Sequence, residues 1–214
     1  GFAWTEAKAD NGAATQIMDA AIAIAHRPAE SAFAFLGKLE FRSDKVTDAV
    51  AGEAGAAGNT ALLVDGDAKS SRLIASLSTN WSPQGRDASG QMVRRHEFGI
   101  FIGARHNFDQ FEGYDYAGTT LLGGLDAKFG LGERFEIGAR GTVRKGLEDG
   151  LTSYAIGPNV GFSPADNALI TVGYNFAGFR DQDFSAARET DEGLYASIRI
   201  KFDADTFSFL GLGR

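Results

Sequence analysis

The chain contains no cysteine and only 4 prolines in 214 residues. The first absence excludes a disulfide scaffold and a thiolate metal site, and the second leaves no proline-rich linker to divide the chain into domains. No block of Lys and Arg occurs, and 21 cationic against 28 acidic side chains give a formal charge of 21 − 28 = −7. A nucleic-acid partner, whose binding neutralises many phosphates, is therefore not expected. No stretch approaches the ~20 consecutive apolar residues of a membrane-spanning helix. What the sequence does have is 28 glycines and a hydrophobic content of 43%, distributed with a period of two residues. A barrel strand crosses a bilayer with only about 9–11 residues, every second one apolar, and whole-chain hydropathy hardly registers it.

The alternation is clearest near the C-terminal end, where Leu194, Ala196, Ile198, Ile200 and Phe202 interleave with Tyr195, Ser197, Arg199 and Lys201. Ile170, Val172, Tyr174 and Phe176 repeat it against Thr171, Gly173 and Asn175. Phe135, Ile137, Ala139 and Val143 alternate with Glu136, Gly138, Arg140, Thr142 and Arg144, and Tyr154, Ile156, Val160 and Phe162 with Ser153, Gly157, Asn159 and Gly161. Pro158 falls on the apolar side of that run and is expected to weaken or bend it. Upstream, the same period holds in four more runs, around Phe33–Arg42, Leu73–Trp81, Phe98–Arg105 and Leu121–Phe129. Residues 14–26 carry Met18, Ile22 and Ile24 on one parity, although their alanine content makes an amphipathic helix the competitor. Phe2 and Trp4 precede Asp10-Asn11-Gly12, a hairpin signal, which brings the candidate strands to ten.

Connections alternate in length. Short turns are expected at 27–30, 130–133 and 163–167, with a slightly longer one at 83–90, whereas longer segments at 44–68, 107–116 and 179–192 fall on the other side. Short turns on one side and long loops on the other are the asymmetry of an outer-membrane barrel. A soluble sandwich supplies no reason for it, and its strands average about 5–6 residues. The polar parity also differs from a solvated face: Gly, Ser, Asn and Thr accompany nine cations (Lys38, Arg42, Arg72, Arg105, Lys128, Arg140, Arg144, Arg199, Lys201) and five anions (Asp19, Glu40, Glu97, Asp126, Glu136). Such a set suits the lumen of a narrow cylinder, where small residues make room and opposite charges compensate. A one-residue slip of the last strand would turn Arg199 and Lys201 toward hydrocarbon at about 2–4 kcal/mol each near the midplane.

The expectation is an all-β, closed antiparallel up-and-down transmembrane β-barrel of about ten strands, with eight or twelve as alternatives, over 1–203, followed by a C-terminal extension at 204–214. Aromatic girdles are expected from Trp81, Phe129, Phe135, Phe162 and Phe202 at the short-turn ends and from Phe108, Phe111, Tyr114, Tyr116 and Phe179 at the other. An even strand number returns both termini to one side, the periplasmic one. Nothing at Gly1 reads as a cleavable leader, which fits a processed chain or a piece of a longer precursor.

Residues 173–203, with Gly-Tyr-Asn-Phe, Gly-Phe-Arg-Asp and a final Arg-Ile-Lys-Phe-Asp, resemble the C-terminal β-barrel segments of large, repeat-containing proteobacterial outer-membrane proteins. Residues 25–42 are similar to the Tyr-Arg-Pro turn and following strand of that family, with His26 in place of the usual aromatic. The resemblance implies residence in the bacterial outer membrane among lipid and lipopolysaccharide, insertion by the barrel-assembly machinery, and contact with other envelope proteins. The last strand looks like the recognition signal for that machinery, but here the chain continues past Phe202 into the 204–214 tail.

Catalytic signals are weak. His26, His96 and His106 lack zinc spacing, and no GxSxG motif is present. His106 with Asp109 is the one pair that could imitate a rim esterase or deacylase. Asp65/Asp67 and Asp181/Asp183 have the DxD form of weak calcium ligands but read more simply as solvated loop charge, and Arg180 and Arg188 are candidates for lipopolysaccharide phosphates. The glycine-rich stretch at 51–58 lacks the lysine and flanking elements of a phosphate loop. No cofactor, metal or catalytic residue is expected. The functional expectation is a non-enzymatic membrane anchor or structural barrel with a filled lumen, or alternatively a narrow pore with mild anion preference.

Overall fold

A computed structural model describes residues 1–8, 13–27, 31–49, 66–86, 92–94, 96–111, 114–165, 168–181, 183–184 and 190–200. Among them every regular element is a strand: β1 (Phe2–Lys8), β2 (Ala14–His26), β3 (Phe33–Ala49), β4 (Gly66–Trp81), β5 (Gln84–Arg86), β6 (Met92–Arg94), β7 (His96–Phe111), β8 (Tyr114–Leu131), β9 (Phe135–Gly146), β10 (Thr152–Ala165), β11 (Ala168–Asn175) and β12 (Gly193–Ile200). Ten of these form one sheet in the order β1-β2-β3-β4-β7-β8-β9-β10-β11-β12, each antiparallel to its sequence neighbour in the sheet. The fold is all-β and up-and-down. Among the described residues the ladder is open, with β1 and β12 as its edges. The remaining two strands, β5 and β6, make a separate hairpin in the connection expected to be a turn at 83–90.

The central strands are long: β3, β4, β7 and β8 hold 17, 16, 16 and 18 residues, about three times the ordinary strand. β2 is strand rather than helix along its length, because two-residue alternation keeps Ile22 and Ile24 on one face while all thirteen residues pair with β3. A helix would scatter those side chains around its axis. One expectation needs correction. Residues 107–116 are not a long connection, since the β7–β8 ladder continues to Phe111↔Tyr114 and leaves only 112–113 between the strands. The weakening expected at Pro158 is seen there: β10 runs on through it, paired with Ala139 of β9, but its pairing with β11 is interrupted at 157–158. That ladder stops at Asn159↔Gly173 and resumes one residue out of register at Ile156↔Ala177.

The two faces of the sheet differ in an inverted sense. The alternating apolar residues are exposed, Ile22 at 75% and Ile198 at 71% of their surface, while the polar parity is covered, Thr142 at 7% and Asn159 at 6%. Ile198 and Ile200 do not pack on a second sheet; both are exposed. The covered face is called inner here because Ser78 of β4, Glu97 of β7, Asp126 of β8, Arg140 of β9 and Arg199 of β12 line one cavity on it. For one cavity to reach from β4 to β12 the sheet must curl on itself. At the short-turn end of the outer face, rings run across five strands: His26 stacks on Phe35 at 5.4 Å, Phe33 on Trp81 at 6.3 Å, Trp81 on Phe98 at 5.4 Å, and Phe98 meets Phe129 edge-on at 5.5 Å.

Candidate functional site

Inner-face glycines set how much can fit inside the curl. Asp126 lies over Gly99, the Tyr195 ring over Gly173 and the Glu136 side chain over Gly161, so closely that a Cβ at any of these glycines would collide. In the register, Phe101 faces Gly124 and Gly103 faces Leu122. Large inner residues are thus set opposite small ones, the arrangement that packs a narrow interior.

Against that inner face lie the described residues of the connection between β11 and β12, 176–181, 183–184 and 190–192. Asn175, at the end of β11, donates from Nδ2 to the Asp191 carbonyl at 2.8 Å, and the Phe179 N–H donates to the Thr190 carbonyl at 2.9 Å, so the two ends of the connection are fastened together. Its tip reaches back to the far strands. Asp183 lies 2.7 Å from Nη1 of Arg72 on β4 and 2.6 Å from Nη1 of Arg105 on β7; Asp181 lies 3.1 Å from Arg105 and 3.5 Å from Nη1 of Arg144 on β9. Three arginines from three strands converge on two carboxylates of one loop. Beside them, Phe179 and Phe184 are buried against Ile74, Leu122 and Ala155, with Phe101 packed on the cluster. The Phe179 ring lies 4.9 Å from the Arg144 guanidinium and Phe184 lies 5.8 Å from that of Arg105, distances at which cation–π attraction contributes.

The sequence placed Arg72, Arg105 and Arg144 on the polar parity but missed their partners. Asp181 and Asp183 are not solvated loop charges or calcium ligands: the Asp181 side chain is only 2% exposed, and guanidinium groups already balance both carboxylates. Phe179 is likewise not part of an interfacial girdle but buried in the inner cluster. One signal was available. Ile74, Phe101 and Leu122 interrupt the polar parity with large apolar side chains, which requires an apolar partner inside.

The other polar-parity residues form two further groups. On β3, Lys38 pairs with Glu40 at 2.7 Å, and Arg42 lies 3.3 Å from Asp44 and 3.7 Å from Asp19 of β2. Toward the short-turn end, Lys128 lies 4.0 Å from both Glu97 and Asp126, and Asn80 donates to Glu97 at 2.9 Å. With Arg140 and Arg199 these residues line a cavity of about 270 Å³. Glu136 lines a neighbouring one of about 440 Å³. Lys201, Phe202, the 204–214 tail, Asp65, Arg188 and the 51–58 stretch lie outside the described residues.

His106 and Asp109 are not brought together. Three residues apart on one strand they occupy opposite faces: His106 Nδ1 is 2.9 Å from Thr119 Oγ1, and Asp109 accepts from Ser70 Oγ at 2.6 Å. Nor does Arg180 stand open to phosphate, since it donates to Asp191 at 2.7 Å and that contact lowers the Asp191 pKa below the ordinary carboxylate value. In the β9–β10 connection, Glu148 accepts the Thr119 N–H at 2.6 Å, which lowers its pKa likewise. Among the described residues no group of three or more His, Asp or Glu side chains converges as a metal site. Comparison of the chain with protein-family models, with curated proteins and with solved structures finds no match to any of them.

Proposed function

We propose that the sheet closes through β1 and β12 into an integral outer-membrane β-barrel that serves as a membrane anchor or structural component, its interior filled by its own charged side chains and by the β11–β12 connection. The observation that carries this reading is the inverted distribution of polarity: among the described residues 36 large apolar side chains are exposed and only six apolar residues are buried. Water-facing monomers do not expose contiguous apolar surface on that scale, whereas acyl chains require it. The height of the band agrees. From Phe98 in the lower aromatic row to Phe108 on β7 is ten residues, ~33 Å along the strand and ~25 Å across a bilayer for strands tilted by about 40°. The resemblance of 173–203 and 25–42 to proteobacterial barrel segments points the same way, and with it come outer-membrane lipid, lipopolysaccharide and the assembly machinery as partners. Heat-modifiable migration on detergent gels together with outer-membrane fractionation tests the proposal. Migration indifferent to boiling, with the protein in the soluble fraction, refutes it.

A narrow anion-preferring pore is the second reading, favoured by the inner cavity where Lys128, Arg140 and Arg199 meet only Glu97 and Asp126. It requires measurable current from the unaltered protein in planar bilayers, and a shift of reversal potential toward cations in Arg140→Glu/Arg199→Glu. The filled-interior reading requires no stable current.

A further inference from the structure

On the inner face, Arg42 and Arg72 stand directly opposite one another on β3 and β4, and acids compensate them: Asp19 and Asp44 for the first, Asp183 for the second. Three residues along the same two strands the situation recurs on the outer face, among the described residues without a direct ion pair. Lys45 and Lys69 are directly paired across the ladder, both are exposed, and among the described residues neither forms an ion pair. Like charges opposite one another oppose strand pairing, yet here the ladder runs through them. The register extends the row: Gln16 of β2 lies beside Lys45 and Gln110 of β7 beside Lys69, with Glu6 of β1 and Asp115 of β8 one strand further out, giving Glu-Gln-Lys-Lys-Gln-Asp at one level across six strands. Asp67, two residues from Lys69 along β4, is a further acid on this stretch of the face, and the lysine pair is separated from Glu6 and Asp115 by one amide on each side. Immediately below, the hydroxyls of Ser43 and Ser71 are buried and 2.8 Å apart, hydrogen-bonded to each other and so closed to other partners. Below them come Phe41 and Leu73, then Leu39, Ala75 and Ala104.

We propose that the Lys45–Lys69 pair is a binding site for the phosphate of an anionic lipid headgroup, whose acyl chains lie along the apolar rows beneath; this rests on the membrane-barrel reading. The level suits it. Gln110 is two residues beyond Phe108, so the row stands ~5 Å above the apolar band, at headgroup depth. Two ammonium groups from adjacent strands, flanked by two amides, supply the charge and donors that a phosphate monoester takes. The row lies at the long-connection end of the sheet, the end that the barrel reading places outside the cell.

The test uses the full chain in phosphatidylcholine nanodiscs with increasing amounts of diphosphoryl lipid A or of dephosphorylated lipid A. Binding should require the phosphates. Lys45→Gln/Lys69→Gln should weaken it about tenfold, in a salt-sensitive manner, and Lys145→Gln, on β9 of the outer face, should leave it unchanged. Millimolar inorganic phosphate should not compete; if it does, the site takes free anion and the lipid assignment is wrong. Equal affinity of the double variant and the unaltered protein, with both heat-modifiable in phosphatidylcholine alone, overturns the site while sparing the barrel. Failure of the unaltered chain to enter phosphatidylcholine nanodiscs in heat-modifiable form overturns both.

Discussion

Replacing Asp181 and Asp183 together by Asn removes the two negative charges that hold the β11–β12 connection to the far wall while nearly preserving shape. Four contacts of 2.6 to 3.5 Å join these carboxylates to Arg72, Arg105 and Arg144. A hydrogen bond to a charged group contributes about 1.5–3 kcal/mol, but the arginines are 16% to 33% exposed and the Asn oxygen still accepts, so about 3 kcal/mol for the whole latch is a discounted figure. That corresponds to a shift of ~10² in the ratio of docked to undocked loop. The ordering of the connection opposes docking by about 1–2 kcal/mol per fixed residue, so burial of Phe179 and Phe184 alone holds it weakly. Two assays read the result. Amide hydrogen exchange at Phe179 and Thr190, whose backbones pair at 2.9 Å, should accelerate by about two orders of magnitude. Planar-bilayer recordings should change from silence to discrete, anion-selective steps, because release leaves three uncompensated guanidinium groups in the bore. A folded double variant with unaltered exchange and no current would refute the latch.

Gly103→Val places carbon where the Phe184 ring now sits, 2.7 Å from the Cβ position; the expected loss is about 1–3 kcal/mol, seen as faster exchange in the 176–192 connection with the β7–β8 ladder intact. Ile102→Arg turns a charge outward near the middle of the apolar band and should lower the free energy of folding into bilayers by about 2–4 kcal/mol, measured by denaturant titration in liposomes; an effect confined to detergent-free aqueous solution would count against the band. The Arg180–Asp191 contact is pH-dependent in a defined sense: because Arg180 depresses the Asp191 pKa, its contribution is complete above the unfolded carboxylate value and is lost as pH falls through the lower folded value. Protection of the loop amides, taken relative to intrinsic exchange at each pH, should therefore fall on acidification, and Arg180→Gln should flatten that profile.

The strands were legible because a two-residue period is a local property, and burial on one side enforces it along every run from Ile22 to Ile198. The inner charges were legible for the same reason: Arg72, Arg105, Lys128 and Arg144 all sit on the parity opposite the apolar stripe. The loop was not legible. Asp181 and Arg105 are separated by 76 residues, and nothing local to the Gly-Phe-Arg-Asp segment distinguishes an acid bathed in water from one inserted among guanidinium groups. The 107–116 segment was misread because its polar and aromatic residues resemble loop composition, although Asn107, Asp109 and Gln110 keep the pairing register of β7. Pro158 was legible because its missing N–H is a local property, and the β10–β11 ladder is interrupted beside it.

The ten-stranded sheet is not equally deep from edge to edge. Sixteen residue pairs couple β7 to β8, but seven couple β1 to β2 and eight couple β11 to β12. A mechanical load would thus enter at the two shallow margins and leave the tall middle standing as a curved palisade, much as a barrel loses its narrowest staves first.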